Sequence, residues 1–533
     1  MKRLLIIFVL LAFSFAGVAQ HEHHQPAPKK TTTPARKAPV KKATPAKKPA
    51  AKTTVKKQAV KAPPKKQTIK TTPAESPAAQ PAPVIDHSMH QMPVTATPDS
   101  STMHEHTEHP ATDPHAGHNM QADTSRAAHG THDMSSMSHA YSLNLPMNRN
   151  GSGTGWLPDN SPMYGYMKHS GKWMFMMHGN VFLRYVKTDM FNKGTRGDSK
   201  IDVPNWFMAM GQRKVGQRGL FHFSTMFSLD ALFAGGEGYP LLFQSGETWQ
   251  GKPLIDRQHP HDLFSELSVS YAHAFSKKVD AFVYVGYPGE PALGSVAFMH
   301  RPSALPNPDA PISHHWNDAT HITFGVATLG LRVGKFKLEG SSFTGREPNE
   351  ERYDFDKPRF DSWSGRLSFN PSDNWNMHVG HGFVKEPEEI HPGEDVNRTT
   401  ASITYSKDIR GRLLNLTTLW GVNKTQHNDP EHAFLLEGSY ALNKLTLYTR
   451  YEWIQKSAEE LGLDDTQFDH HALFPVNALT LGLNYDLFRF SVIRVAGGGH
   501  LSAYMASSQL DPIYGNNPMS GQVYLRFYPT LMN

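Results

Sequence analysis

The sequence predicts an all-β fold: a transmembrane up-and-down antiparallel β-barrel of about sixteen strands, preceded by a tail that builds no core. Three observations predict it. From about Lys172 to the end, stretches of alternating apolar and polar residues recur. The gaps between them run long, short, long, short, the rhythm of strands joined by tight turns at one membrane face and long loops at the other. And no segment after the N-terminus offers about 18 uncharged apolar residues, so helical membrane spans are excluded.

The chain opens as a secretory signal over residues 1–19. Lys2 and Arg3 supply the charge, Leu4 to Phe15 the apolar stretch, and Ala16-Gly17-Val18-Ala19 the small residues before a cut after Ala19. Residues 20–83 form a tether rich in Lys, Pro and Ala. Between His24 and Glu75 it carries fifteen Lys or Arg and no acid, so it repels itself and stays extended. A spacer and an electrostatic adhesive for anionic envelope polymers are both open roles. The net charge of +6 comes from this tail, because from Tyr141 onward thirty-six basic residues face thirty-nine acidic ones. An exported chain is not expected to meet nucleic acid. Cysteine is absent, which excludes disulfides, thiolate metal sites and a lipid anchor on an N-terminal Cys.

Residues 141–533 carry the barrel. Candidate strands lie near 173–187, 205–213, 219–230, 263–275, 279–287, 320–332, 335–345, 361–370, 374–384, 397–406, 413–424, 431–441, 444–456, 477–487, 489–503 and 518–528. Short junctions follow the even-numbered strands, among them Ser276 to Lys278, Gly334, Leu442-Asn443 and Phe488. In strand 1, Trp173, Phe175, Met177, Val181, Leu183 and Tyr185 share one face, and Met174, Met176, His178, Asn180 and Arg184 the other. In strand 13, Leu445, Leu447, Tyr451 and Trp453 oppose Thr446, Tyr448, Arg450 and Glu452. Period-two geometry turns the first sets to lipid and the second to the lumen. A ring of this size encloses a water-wide interior. The N-terminal tail offers no folded plug for it. Trp363, Trp375, Trp420, Tyr524 and Tyr528 suit interfacial girdles, and the alternating aromatics of Val523 to Tyr528 look like a signal for outer-membrane assembly.

Two long outer loops hold the candidate chemistry. The second, 231 to 262, contains Gly246-Glu247-Thr248 and ends Asp256-Arg257-Gln258-His259-Pro260-His261-Asp262. The third, 288 to 319, has the position and length of a loop that folds inward and narrows a pore. It carries His300-Arg301 and His314-His315, with His321 just inside strand 6. Imidazole is the commonest protein ligand for copper, zinc and nickel, and carboxylates complete such sites. His259, His261, Asp262, His300, His314, His315 and His321 are therefore candidate metal ligands. Residues i and i+2 of an extended segment point the same way, so His259 and His261 form a natural chelating pair. Arg257 and Arg301 instead allow an anion-selective constriction, and a structural role for the loop histidines also stays open.

Residues 84–140 change character. Lys disappears, and ten His and six Met enter in short repeats. His87, Met89, His90 and Met92 form the first group, Met103, His104, His106 and His109 the second. His115, His118 and Met120 follow, then His132, Met134 and Met137. Thioether sulfur favours Cu(I), while imidazole with carboxylate suits Cu(II). Met in a polar segment without a core has no packing task, so copper or a related soft metal is the expected ligand.

This layout of signal peptide, Met/His tract and C-terminal barrel resembles copper resistance protein B. The resemblance lies in residues 84–140 and implies copper binding and copper tolerance at the outer membrane. The stretches around Asp256–Asp262 and Phe298–Ser303 look like an uncharacterised group of bacterial outer-membrane proteins. No nucleophile elbow, phosphate loop or two-histidine zinc-protease helix is present, so the expected role is metal handling or transport rather than catalysis, with a general diffusion porin as the alternative. The expected setting is the outer membrane with the tail in the periplasm. The expected partners are outer-membrane lipid, lipopolysaccharide, metal ions, and periplasmic metal carriers or cell-wall polymers.

Overall fold

A computed structural model of the chain describes residues 137–426 and 428–532. All of these belong to the second of two compact units, Asn119–Asn533. The signal peptide, the tether and the tail positions His87 to Met134 lie outside the described residues.

Alternation along each stretch makes it a strand, and the tight turns make successive strands antiparallel neighbours. The wall strands are β1 Trp173–Lys187, β2 in two pieces (Ser199–Asp202 and Asn205–Val215), β3 Gly219–Phe227, β4 Phe264–Ser276, β5 Val279–Gly286, β6 Val326–Val333, β7 Phe336–Phe343 and β8 Ser362–Phe369. The ring continues through β9 Trp375–Val384, β10 Val396–Asp408, β11 Leu413–Lys424, β12 Glu431–Leu442, β13 Leu445–Ser457, β14 Leu473–Phe490, β15 Ile493–Met505 and β16 Met519–Pro529. The sheet closes where Gly521–Phe527 pairs with Lys187–Val181. A short strand, Tyr166–Ser170, pairs with Met177–Trp173, and a Tyr164–Leu531 bridge sets it in line with β16. The ring therefore has sixteen wall positions.

Several expected boundaries move, two of them with consequences for side-chain placement. Strand β6 begins at Val326 rather than residue 320, because Ala319–His321 makes a 3-10 turn, so His321 belongs to the loop. Strand β14 runs through Phe488 to Phe490, and its turn falls at Ser491, whose φ of 55° suits a tight reversal. Phe488 and Phe490 continue the lipid-facing pattern, which the mixed sequence Asp486-Leu487-Phe488-Arg489 obscures.

Side chains divide as the alternation requires. Leu183, Tyr185, Val285, Leu331, Leu338, Val379, Leu447 and Leu481 project outward at 40–60 % exposure, and comparable residues recur on every side of the ring. Such a belt has no counterpart on a water-soluble surface. With every backbone edge paired by closure, it marks an outer-membrane barrel. Arg184, Arg366, Arg450, Glu339, Glu437 and Glu452 point inward, each at most 4 % exposed.

That last number corrects the expectation of a water-wide interior. The wall residues facing the lumen are buried because two chain segments fill it. The first is the stretch preceding β1, whose folded part starts with Ser138–His139 paired to Ser142–Pro146. Ser142 Oγ donates to Asp280 at 2.5 Å, Asn370 donates to Leu157 O at 3.0 Å, and Thr154 is held by Lys337 and Arg366. The second is the loop between β5 and β6, which crosses the lumen as its length predicts. Arg301 donates to Glu437 of β12 at 2.7 Å and to Asp318 at 2.6 Å. Arg184 of β1 pairs with Asp309, Tyr524 of β16 donates to Pro306 O at 2.8 Å, and Ser313 Oγ donates to Glu452 of β13 at 2.8 Å. At Gly421 of β11 the backbone of Trp316 approaches so closely that a Cβ would sit 2.4 Å from its carbonyl oxygen.

At the long-loop end, His391 ties two loops together. Its Nδ1 meets Glu388 at 2.9 Å and its Nε2 meets Glu459 at 2.7 Å. These carboxylates, with Glu394 nearby, raise its pKa to about 9 against desolvation that opposes the rise. The folded pKa lies above the ordinary 6.5, so the clasp contributes fully below that value and is lost as pH passes 9. Amide exchange across 385–395 is expected to accelerate between pH 8 and 10, measured relative to residues 346–350, and His391→Gln is expected to abolish that step.

Candidate metal centre

Two inward loops bring five histidines into one cluster. His259 and His261 enter from the β3–β4 loop; His314, His315 and His321 come from the β5–β6 loop. His314 and His315 sit on the one-turn helix His314–Asn317, with Asp318 four positions after His314, so the Asp318 carboxylate caps the His314 imidazole at 2.7 Å. Ring centroids are 5.0 Å apart for His314–His321, 5.5 Å for His314–His315 and His261–His321, and 6.3 Å for His259–His315 and His259–His261. One ring nitrogen each from His259, His314 and His315 lies within 4.8 Å of the others. A tetrahedral ion with bonds of 2.0–2.1 Å needs nitrogens about 3.4 Å apart, a gap that small ring rotations close.

The outer contacts of these rings are the second observation. The Nδ1 of His259 faces Glu247 at 3.0 Å, that of His261 faces Asp230 at 2.7 Å, and that of His321 donates to Asp318 O at 2.8 Å. An acceptor on Nδ1 fixes the tautomer and leaves Nε2 with its lone pair, the usual support of a metal-bound imidazole. The Nε2 atoms of His261, His315 and His321 are buried with no hydrogen-bond partner. Burial first, then the Arg352 guanidinium, holds His259 well below the ordinary imidazole value. Burial and the neighbouring His314 do the same to His315, and His321 falls to about 3. These rings are neutral at pH 7 and need lose no proton to ligate.

Carboxylates outnumber guanidinium groups around the cluster. Arg352 joins Glu247 and Asp262, and Arg301 joins Asp318 and Glu437. Asp318 is held well below the ordinary range, chiefly by Arg301, although burial opposes this. Burial raises Glu247 and lifts Asp262 to about 7. Lys456 and Arg398 also act on the His315 ring.

Not every predicted ligand gathers here. Asp262 faces Arg352 at 3.5 Å, outside the ring of imidazoles. His300 pairs with His178 of β1, centroids 5.6 Å apart, and with Trp206 at 4.7 Å. The i, i+2 pair His259 and His261 divides its contacts: His259 joins His314 and His315, while His261 joins His321. The two arginines considered for anions are engaged elsewhere, Arg301 with Asp318 and Glu437 and Arg257 with Asp198 at 2.6 Å. Met137 packs in the lumen, against the Met147–Met174–Met176 cluster. Sequence reasoning missed Asp230 and Glu247 as supports. The i, i+4 spacing of His314 and Asp318 was a usable signal for the third.

Gly246 lies against this centre with φ of 121°, and a Cβ there would sit 1.8 Å from the His315 ring. Gly246→Ala is expected to turn that ring aside and weaken divalent-metal binding at least tenfold, roughly the loss of a supporting contact. Calorimetric titration of the folded barrel measures it.

No protein-family model matches the chain, and no curated protein matches it. Among solved structures it is similar to an anion-selective porin from Comamonas acidovorans, at 13 % identity over 67 % of this chain and 99 % of that one, with a TM-score of 0.42. It is similar to OmpF of Salmonella typhi in complex with daunomycin, at 9 % identity over 68 % and 100 %, with a TM-score of 0.42. It is also similar to OprB of Pseudomonas putida, at 10 % identity over 67 % and 94 %, with a TM-score of 0.40.

Proposed function

We propose that this chain is a porin-type outer-membrane barrel specialised for metal ions: its lumen is shut to general diffusion, and its inward loops hold a divalent transition ion, copper first among candidates. One observation carries this reading. Five imidazoles converge in a buried site, three with unpartnered Nε2 atoms. Copper(II), zinc and nickel all suit imidazole, and copper binds most tightly among the divalent ions of the first transition row. In this reading the Met/His tract of residues 84–136 stands in the periplasm and captures copper, and the barrel sequesters or passes it.

Metal analysis tests this. The full-length protein and a form lacking residues 20–136 are loaded with Cu(II) or Zn(II) and dialysed. About one retained ion per tail-deleted barrel is expected; an ion-free barrel sinks the reading.

A general diffusion porin is the second reading. Sixteen wall positions and an inward third loop favour it, since they are the parts of a diffusion pore. Steady, metal-independent conductance through the purified protein would select it.

A further inference from the structure

A second ligand-bearing feature lies in the short-turn half of the lumen. Met147, Met174 and Met176 form a buried cluster, and Met163, Met167 and Met210 pack against it, with Met137 and Met532 at its edge. Met208, Met226 and Met299 continue it into a neighbouring cluster through Met210. These eleven are half of the chain's twenty-two methionines. Pairing in the sheet builds the wall: Met176 lies opposite both Met167 and Met210, and His178 opposite Met208.

The wall is not solidly packed. Met163, Met176, Met208 and Met210, with His178 and His300, line part of a cavity of about 80 Å³, room for several waters; Arg526 also lines it, its guanidinium donating to Asn180 and stacked on Tyr528. The Nε2 of His178 is shielded and unpartnered. His300 also lines a smaller pocket of about 10 Å³ with Met226, Met299 and His321, beside the carboxyl groups of Glu266 and Glu290. His321 in turn touches His261 and His314 of the outer cluster. Thioethers at the short-turn end thus pass through mixed thioether–imidazole positions to imidazoles at the long-loop end.

We propose that this cavity is a binding site for a soft monovalent ion, Cu(I) or Ag(I), held by the thioethers of Met176, Met208 and Met210 with the imidazoles of His178 and His300, and that the Met-to-His column is the ion's path through the filled barrel. Thioether sulfur selects soft ions and imidazole accepts them, whereas hard cations find no carboxylate among these ligands. Packing alone accounts for buried methionine, but not for an open cavity where four of them meet two histidines. The inference deepens the metal-handling reading and rests on it only for the ion's route.

The test uses the full chain carrying [methyl-13C]Met, titrated with Ag(I) in chloride-free buffer. Methyl signals are assigned through single Met→Leu variants. The Met176, Met208 and Met210 signals are expected to shift and saturate at about one Ag(I) per chain beyond the tail's uptake. The shift is expected to survive His259→Ala/His314→Ala/His315→Ala. In Met176→Leu/Met208→Leu/Met210→Leu, which keeps side-chain volume and, by heat-modifiable electrophoretic mobility, the folded barrel, the Ag(I)-dependent shift of the Met163 methyl, which lines the same cavity, is expected to vanish. Tail methyl signals that move while these three stay fixed overturn the proposal. Failure of the unmutated protein to take up Cu(II) at the outer cluster, with the Ag(I) shift intact, overturns the divalent reading alone.

Discussion

Arg301→Ala/Arg184→Ala is expected to open the barrel. Arg301 is 1 % exposed and holds two carboxylates, Asp318 on the inward loop and Glu437 on the wall. Arg184, 2 % exposed, joins the loop residue Asp309 to Asp202. Removing both guanidinium groups strips Asp202 of its Arg184 pair and leaves Asp309, Asp318 and Glu437 only His500, His314 and Arg450, a loss of roughly 3–5 kcal/mol per broken pair. The backbone hydrogen bonds that close the ring involve neither guanidinium, so the loop is what gives way. At about 1.4 kcal/mol per decade, one such loss raises the share of undocked loop at least a hundredfold. Planar-bilayer recordings are expected to show rare, small openings for the native chain and frequent, large ones for the variant. A native chain that already conducts like a wide pore contradicts the closed lumen. An unchanged, silent variant contradicts the role given to these anchors.

The second large effect concerns the imidazole cluster. His259→Ala/His314→Ala/His315→Ala removes the three ring nitrogens that lie within 4.8 Å of one another. Tail-deleted protein carrying these changes is expected to retain no Cu(II) or Zn(II) after dialysis. Supporting residues report separately. Asp230→Asn and Glu247→Ala leave every ligand in place but remove the charge behind His261 and His259, and each is expected to lower affinity 10- to 100-fold. A purely structural role for the histidines predicts the opposite pattern: lower barrel stability in all these variants, and no ion bound in any form.

Much of the wall was legible because strand alternation is local. Arg184 and Tyr185, adjacent in sequence, stand at 2 % and 44 % exposure, as their parity requires. The inward course of the third loop followed from its length. The contents of the lumen did not. Residues 138–165 show no period, and their anchors on Asp280, Lys337, Arg366 and Asn370 lie far along the chain. Met174 and Met176 could be placed on the inner face, but not beside Met210 and Met163, which requires the register of three segments at once.

By itself the sequence determined the repeating strand, its inner and outer faces, the sixteen wall positions and the two histidine-bearing loops, because each depends on neighbours a few residues apart. Only the tertiary structure decided that the lumen is filled, that His300 stands beside His178, and that His261 meets His321 while His259 meets His314 and His315. Those contacts are set when the ring closes around segments drawn from distant parts of the chain, a condition no stretch of sequence contains.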